Sequence, residues 1–412
     1  MRPLLQTSSR RSSRRPGPGP QAGLTLIELL VAVTIGLIMS LAIFGVITGS
    51  ERSKRNNTGV NDLVQSGSLA LFQIDEWIRS AGSGFSSFSD TVPGRDTVYG
   101  CKLTAALSST QTLPFTGTLP APFASVNPGT AGAFRLAPVL ILPDQTTPGE
   151  SGQTSDVLVV MAGTDGMGGS PQLFSGSATA TTLSLPNTVP YQANDLVLVA
   201  AQKSGTAAVA DCMLTQAAST FSGGASTTLN LGGSYYAATI NSVSLTGYAN
   251  NGLAMALGNP AAGNPPQFLM IGVGDHSTLY TYDLLKSTGT NLAVQVRDQG
   301  VFELHALYGV DTNGDNIIDT WVKPSTLTGN FTVASLMAGT LTSAGFLKQI
   351  RAIRVGLIQR TPLQEKDTIA PASLSLFGDL GTDLKYTRTL SADERKYRYR
   401  TIESTVPLRN QL

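Results

Sequence analysis

The sequence predicts an α+β fold, in which one long N-terminal helix packs on a globular head rich in antiparallel β-sheet. An apolar run extends from Leu24 to Ile47 with Glu28 as its only charge. Apolar residues then recur at helical spacing to about Ser80, and short strand patterns follow from Asp156 onward. The predicted organisation is a basic leader over 1–23, the helix over 24–80 and the head over 81–412.

The apolar run 24–47 is a candidate transmembrane segment. At about 1.5 Å rise per residue it reaches roughly 36 Å, and the hydrocarbon core of a bilayer is about 30 Å thick. An ionised glutamate inside such a segment is unfavourable by a few kcal/mol on insertion scales. Glu28 therefore marks a specific contact or function. The alternative is that the Glu28 carboxyl is simply protonated, or that its side chain extends towards the membrane–water interface.

The leader before this run carries only basic charge. Its Pro/Gly tract from Pro16 to Pro20 predicts disorder, and three basic residues, Arg52, Lys54 and Arg55, follow the apolar run. The positive-inside rule then favours a cytoplasmic N-terminus and an exported head. The arginines of the leader are Arg2, Arg10, Arg11, Arg14 and Arg15.

A secretory signal peptide is the competing interpretation, but its apolar core is usually about 7–15 residues long and ends at a small-residue cleavage site. Here the small residue, Gly23, precedes the run. Gly23 followed by Leu24-Thr25-Leu26-Ile27-Glu28 resembles the recognition site of type IV prepilins. In that family a dedicated peptidase cuts after the glycine and methylates the new amine. The resemblance implies processing at Gly23 and Leu24.

The same resemblance gives Glu28 a role in assembly. Inside a pilus the helices pack side by side in a dry core, where a free α-amine and a carboxylate neutralise each other. The amine of a mature chain that starts at Leu24 is the expected partner of Glu28, from the same or a neighbouring subunit.

Beyond the apolar run, the helix is predicted to become amphipathic and to pack one face on the head. Asp75 and Arg79 are spaced to form an i,i+4 ion pair, and Ala81-Gly82-Ser83-Gly84 ends the helix. The apolar face comprises Val60, Leu63, Val64, Gly67, Leu71, Ile74 and Ile78.

The head is predicted to be a β domain. Charged residues are only 13% of the chain, about half the usual share, and Gly, Ser, Thr and Asn are abundant. Residues 85–155 read as loops with short strands, and 204–233 as a variable excursion. The predicted strands are Asp156–Ala162, Asp195–Ala201, Ala254–Leu257, Gln267–Val273, Leu279–Leu284, Leu292–Val296, Val301–Val310 and Ile350–Gln359, with a last strand from Tyr397.

Two cysteines, Cys101 and Cys212, lie on the exported side, where oxidation is favoured. One disulfide is expected, and two free thiols are the alternative. Closing a loop of about 110 residues stabilises a fold by roughly 4 to 5 kcal/mol on the chain-entropy model. Catalytic use of either thiol is disfavoured, because only His276 and His305 are available as partners and neither is near in sequence.

One segment resembles a metal-binding loop. Oxygen-bearing side chains stand at relative positions 1, 3, 5 and 9 of the segment 311–319, and a backbone carbonyl at position 7 adds a ligand of the kind that Ca²⁺ takes. The EF-hand glutamate at position 12 is replaced by Val322. The alternative is an Asx-rich turn that needs no ion. The candidate calcium ligands are Asp311, Asn313, Asp315, Ile317 and Asp319.

Several segments resemble the PilW family of type IV pilus minor pilins. They are Gly67–Gly84 with its Arg-Ser-Ala-Gly, the strand Asp195–Val199, Asp211-Cys212 and the ending Thr401–Asn410. The resemblance implies a minor pilin that primes pilus assembly or sits at the tip. Implied partners are other minor and major pilins, prepilin peptidase, the inner-membrane assembly platform with its ATPase, and membrane lipid before assembly. The implied location is the inner membrane with a periplasmic head, and later the pilus at the cell surface.

Other functions find little support. The sequence has no HExxH, Walker A or GxSxG motif, so no catalytic residue is assigned and an enzyme is not expected. A net charge of +1 gives no case for nucleic-acid binding. No cofactor is expected to be required, and calcium at the candidate loop is the one ion considered. Two alternatives remain open, a minor pseudopilin of a type II secretion system and a signal-anchored calcium-binding adhesin whose leader is retained.

Overall fold

The structure is a computed structural model that describes residues 23, 25–85, 94–126, 133–147, 153–164, 171–203, 209–224, 226–286, 294–325 and 328–411. The leader up to residue 22 and Leu24 lie outside the described residues. The chain divides into two compact units, Met1–Thr58 and Gly59–Leu412.

The first unit is helical from Leu26 onward. Helix α1 covers Leu26–Ser80 and therefore continues into the second unit. Its N-terminal part, Leu26–Glu51, has a mean hydropathy of 2.7 and is long and apolar enough to cross a membrane. None of that segment is buried by other residues that the structure describes.

The second unit is built from β-strands and two short helices, α2 (Val333–Leu336) and α3 (Leu341–Gln349). The α+β prediction is confirmed. In the described residues the strands are β1 Leu103–Leu107, β2 Thr110–Leu113, β3 Val139–Thr146, β4 Ser155–Ala162, β5 Gln172–Leu173, β6 Thr182–Ser184, β7 Leu196–Ala201, β8 Cys212–Gln216, β9 Thr228–Asn230, β10 Thr239–Ile240, β11 Val243–Ser244, β12 Gly252–Gly258, β13 Gln267–Gly274, β14 Thr278–Asp283, β15 Val294–Gln299, β16 Val301–Val310, β17 Thr320–Val322, β18 Ile350–Arg360, β19 Ser373–Leu376, β20 Tyr386–Thr389 and β21 Tyr399–Pro407.

Three sheets form the body of this unit. Their strand orders are β2-β1-β8-β7-β12-β5, β15-β14-β13-β4-β3 and β17-β16-β18-β21. Neighbouring strands are antiparallel except for β1 and β8, which run parallel with Leu103 opposite Cys212. Three two-stranded ribbons, β6-β9, β10-β11 and β19-β20, complete the described strands.

The part of α1 from Gly59 to Ser80 packs on these sheets through one face. Ala70, Ile74 and Ile78 are fully buried in the main hydrophobic core, together with Leu304, Val355 and other inward residues of the sheets. Successive strand residues point to opposite faces of a sheet. Leu307 and Ile358 therefore lie on the other face of the four-stranded sheet, in a separate apolar cluster. Phe302 joins this cluster because the pairing register of β16 shifts between Val301 and Glu303.

Residues 361–398, which we call the strap, cover that second face. The strap leaves the sheet after β18, carries β19 and β20, and returns to begin β21. Its Leu376 and Phe377 complete the cluster formed by Phe302, Leu307 and Ile358. The four-stranded sheet is thus covered on both faces.

Candidate functional site

The N-terminal turn of α1 is closed by a capping box. The carbonyl of Thr25 accepts the first helical hydrogen bond from the amide of Leu29, at 3.2 Å. Oγ1 of Thr25 accepts from the amide of Glu28 at 3.4 Å, while Oε2 of Glu28 accepts from the amide and the hydroxyl of Thr25 at 3.1 and 2.9 Å. This reciprocal pattern satisfies backbone donors that a helix start leaves free. The Glu28 carboxylate is therefore held at the beginning of the helix.

The candidate processing residues lie just before this turn. Gly23 is exposed and lies outside the helix, and Leu24 lies outside the described residues. The structure consequently brings Glu28 next to Thr25. Thr25 is the second residue of the chain that cleavage after Gly23 is predicted to leave. The contact between Glu28 and an amine at Leu24 stays a prediction.

Among the residues that the structure describes, none covers the apolar side chains of Leu26–Glu51. Leu26, Leu41 and Phe44 are 80%, 79% and 70% exposed. Soluble proteins rarely leave a contiguous apolar surface of this length open to water. This segment therefore requires an apolar environment, which lipid or the apolar helices of other subunits can supply.

Within the second unit, Gly67 brings α1 close to strand β18. A Cβ built on Gly67 would lie 1.0 Å from Nε2 of Gln359, a residue that is fully buried. Any larger residue at this position would force the buried Gln359 amide or the helix to move.

The end of α1 is fastened by the end of the chain. Nδ2 of Asn410 lies 3.3 Å from the carbonyl oxygen of Arg79 and 3.2 Å from those of Ser80 and Ala81. The last carbonyls of a helix have no partner within the helix, so this amide caps them. The predicted pair of Arg79 and Asp75 is also present, with Nε 2.5 Å from Oδ2.

The predicted disulfide is present. Cys101 and Cys212 are bonded, with their Cα atoms 5.6 Å apart and 111 positions apart in sequence. The bond lies where β1 and β8 begin to run parallel, and the amide of Cys212 donates to the carbonyl of Lys102 at 2.9 Å. Both cysteines are buried, so neither thiol is available for other chemistry.

The Asp-rich loop 311–319 connects β16 and β17. Asp311 is buried, and its carboxylate accepts from the amides of Gly314 and Asn316 at 2.6 and 2.9 Å. Asp319 accepts from the amide and hydroxyl of Thr312, both at 2.7 Å. Asp315 accepts from the amide of Ile317 at 2.8 Å. The loop oxygens thus stabilise the turn itself, as the Asx-turn interpretation requires.

Calcium binding at this loop stays a prediction. Nε of Arg351 lies 3.3 Å from Oδ2 of Asp311, so a cation at Asp311 would have to compete with a guanidinium. Burial raises the pKa of Asp311, but these amide and guanidinium hydrogen bonds together outweigh it, so the pKa lies below its ordinary value. Among the described residues, no group of three His, Cys, Asp or Glu side chains is arranged to hold a metal ion.

Two models of known families match the chain, one near its N-terminus and one over its C-terminal third. A family model described as the prokaryotic N-terminal methylation motif matches residues 19–47, which include Gly23, Leu24 and Glu28. A second model, described as Type IV Pilus-assembly protein W, matches residues 271–410. The chain is a PilW-like type IV pilin. No curated protein and no solved structure matches it.

The two matches account for the arrangement of this PilW-like pilin. Pilins are structural subunits that associate with other pilins and with assembly machinery, and the apolar N-terminal helix supports membrane anchoring. The PilW match also covers two residues that sequence reasoning did not single out, Gln359 and Asn410. Asn410 lies in the ending that resembles PilW proteins, whereas nothing in the sequence marks Gln359 as the residue that contacts Gly67.

Proposed function

We propose that this PilW-like pilin is a minor pilin that is cut after Gly23, methylated on Leu24 and built into a type IV pilus. One observation carries the proposal. In the segment Leu26–Glu51, Glu28 lies in the first turn and the apolar side chains are exposed. Before assembly, membrane lipid surrounds this segment. In the fibre, the helices of other minor and major pilins replace the lipid.

Glu28 directs the packing of these helices. Cleavage after Gly23 creates an amine at residue 24, adjacent to Thr25, and the capping box already holds the Glu28 carboxylate against Thr25. When an amine and a carboxylate are buried together, their mutual attraction offsets part of the desolvation cost that each would carry alone. A helix therefore packs into the dry core of the fibre most favourably when its Glu28 carboxylate contacts an N-terminal amine.

The orientation in the membrane follows from charge. The five arginines of the leader favour a cytoplasmic N-terminus, and the head is then periplasmic until the pilus carries it to the cell surface. Prepilin peptidase and the inner-membrane assembly platform meet the protein at this stage. The large head supports a low-copy subunit in a priming or tip complex over a repeating subunit of the shaft.

The test of this function is the Glu28→Ala variant, expressed as a full-length chain in cells that lack the native copy. We expect normal cleavage, but incorporation into sheared surface pili at least about tenfold lower, because an unpaired buried amine is unfavourable by a few kcal/mol. Immunoblots of sheared fibres and of membranes measure the two quantities.

Two further variants separate charge from helix capping. Glu28→Gln keeps an acceptor for the Thr25 amide but removes the charge, so it is expected to fail like Glu28→Ala. Glu51→Gln removes an exposed acid at the other end of the apolar segment and should be incorporated normally. Normal incorporation of both Glu28 variants would rule out the charge-pairing role.

A further inference from the structure

Strand β21 forms an open edge of the four-stranded sheet. It is nine residues long and pairs with β18 over its whole length, and no strand in the described part of the chain pairs with its other side. The strand at the opposite edge, β17, has only three residues. Proteins usually shorten or cover their edge strands, because the unpaired backbone groups of an edge can bind a strand of another chain. β21 therefore offers a long edge to another chain.

The pairing register identifies the backbone groups that face this edge. At the two ends of the pairing, the amide of Thr361 donates to the carbonyl of Arg398 at 3.0 Å, and the amide of Leu408 donates to the carbonyl of Arg351 at 2.8 Å. The register between these hydrogen-bonded pairs runs without a shift. Such pairs alternate along an antiparallel ladder with pairs whose backbone groups point away from each other. The even-numbered residues of β21 therefore bond to β18, and the odd-numbered residues turn their N–H and C=O groups to the open edge.

Three residues carry both a donor and an acceptor on this edge, namely Thr401, Glu403 and Thr405. All three are exposed, and no other backbone group of the described residues bonds to theirs. Pro407 has the same orientation, so the N–H that proline lacks would have faced the edge and not β18. Donors and acceptors at every second residue are the pattern that a further antiparallel strand requires.

The acidic residue at the centre of the edge does not block it. Oε2 of Glu403 lies 2.7 Å from Nη2 of Arg354, and its Oε1 accepts from the amide of Phe377 at 2.8 Å. Charged side chains can protect an edge against pairing with another strand. Here the carboxylate is compensated by a guanidinium and is held against the strap, so the edge stays open to a strand.

Helix α1 and β21 run in the same direction within the second unit. Gly67 contacts Gln359, which pairs with Arg400, and further along both elements Oγ of Ser404 lies 3.5 Å from Oδ1 of Asp75. Subunits that are anchored in one membrane or one fibre have parallel helices. An antiparallel pairing of two β21 edges would make the two helices antiparallel. The antiparallel partner of β21 is therefore a different strand.

We propose that the open edge of β21 is an assembly surface, to which the head of a neighbouring pilin adds one antiparallel strand. This inference rests on the proposed function in a pilus. A strand of the required direction exists at the opposite edge of the same sheet, because three antiparallel pairings separate β17 from β21. A related head whose helix is parallel to α1 can present such a strand. Backbone hydrogen bonds then join the two sheets, as in other cases of strand addition.

The Thr405→Pro variant tests this surface. Proline removes an N–H from the open edge and places its ring there, while the ladder with β18 keeps all its hydrogen bonds. In full-length chains expressed without the native copy, we expect normal cleavage but about tenfold less protein in sheared surface pili, because the added strand loses a hydrogen bond and meets the ring. Thr405→Ala keeps the N–H and should be incorporated like the wild type.

The outcomes separate this inference from the proposed function. Both Thr405 variants should unfold at the same denaturant concentration in micelles, because neither changes the pairing with β18. If Thr405→Pro is incorporated like the wild type while Glu28→Ala is excluded, the edge proposal is overturned and the pilus function stands. If the Glu28 variants are incorporated normally, the charge-pairing role in the proposed function fails instead.

Hydrogen exchange of the wild type gives a second test that does not depend on a variant that folds. The outward amides of residues 401, 403 and 405 should exchange rapidly in the single subunit in micelles. In purified pili their exchange should slow by at least about tenfold, because a strand now covers them. The amides of β18 serve as the control, since they are bonded in both states. Unchanged exchange of the three amides on assembly would overturn the proposal.

Discussion

Replacing both Cys101 and Cys212 with alanine is expected to lower the free energy of unfolding by about 4 to 5 kcal/mol. The bond spans 111 positions, and a cross-link over so long a loop restricts the unfolded chain strongly. It also stabilises the pairing of β1 and β8, which is parallel and cannot be supported by a short hairpin. Denaturant unfolding of the full-length protein in micelles, followed by tryptophan fluorescence, measures the change.

Reduction provides the control for this prediction. A reductant should lower the stability of the wild type to about that of the double alanine variant, and should leave the variant unchanged. If the reduced wild type keeps its original unfolding midpoint while its thiols can be alkylated, the disulfide does not stabilise the fold.

The Gly67→Ala variant is expected to destabilise the protein by about 2 to 3 kcal/mol, the upper part of the range for overpacked sites. Its new methyl group would lie 1.0 Å from Nε2 and 2.0 Å from Cδ of Gln359. Because Gln359 is fully buried, its side chain cannot move to solvent without shifting the helix from strand β18. The loss should appear in the same unfolding experiment, and as faster hydrogen exchange in residues 59–80.

Two variants control for helix propensity and for the clash. Gly59 lies on the same helix with no atom within 4 Å of a built Cβ, so Gly59→Ala should be neutral or stabilising by up to about 1 kcal/mol. Gly67→Ala combined with Gln359→Ala should recover part of the loss, because the shorter side chain makes room. Equal stability of the Gly67→Ala and Gly59→Ala variants would contradict the close contact.

The strands that the sequence predicts well are those with long apolar or alternating patterns. Val301–Val310 has the predicted bounds, and the strands that begin at Gln267 and Ile350 each extend one residue beyond the prediction. Their β-branched and aromatic residues favour strands whatever their neighbours are. The predicted strand Leu292–Val296 is observed as Val294–Gln299, and its first two residues lie outside the described residues.

Other elements depend on contacts between distant segments. Cys212–Gln216 lies in a stretch read as a variable excursion, yet it is a fully buried strand, because it pairs with β7 and β1. The strap gives no strong periodic signal, since its short strands pair mainly with each other and its contacts with the sheet involve Glu303 and Glu403, which lie outside it. Sequence patterns report local periodicity and not such pairings.

The features of the candidate site also divide into local motifs, which the sequence shows, and contacts between distant segments, which only the structure shows. Gly23, Glu28 and the apolar run form a local motif, so the sequence alone indicates prepilin processing. The cysteine pair also follows from the sequence, because two cysteines on an exported chain have one intramolecular partner each. The contact of Gly67 with Gln359 and the cap by Asn410 involve residues that are hundreds of positions apart, and only the folded chain shows them.

The N-terminal mass of the protein recovered from cells tests the central claim most directly. The claim is that the chain is processed after Gly23 to place a new amine beside Glu28. Mass spectrometry of the protein from purified pili should find a chain that starts at Leu24 and carries one added methyl group. Recovery of subunits that retain residues 1–23, or that are cut beyond Ile47, would contradict it.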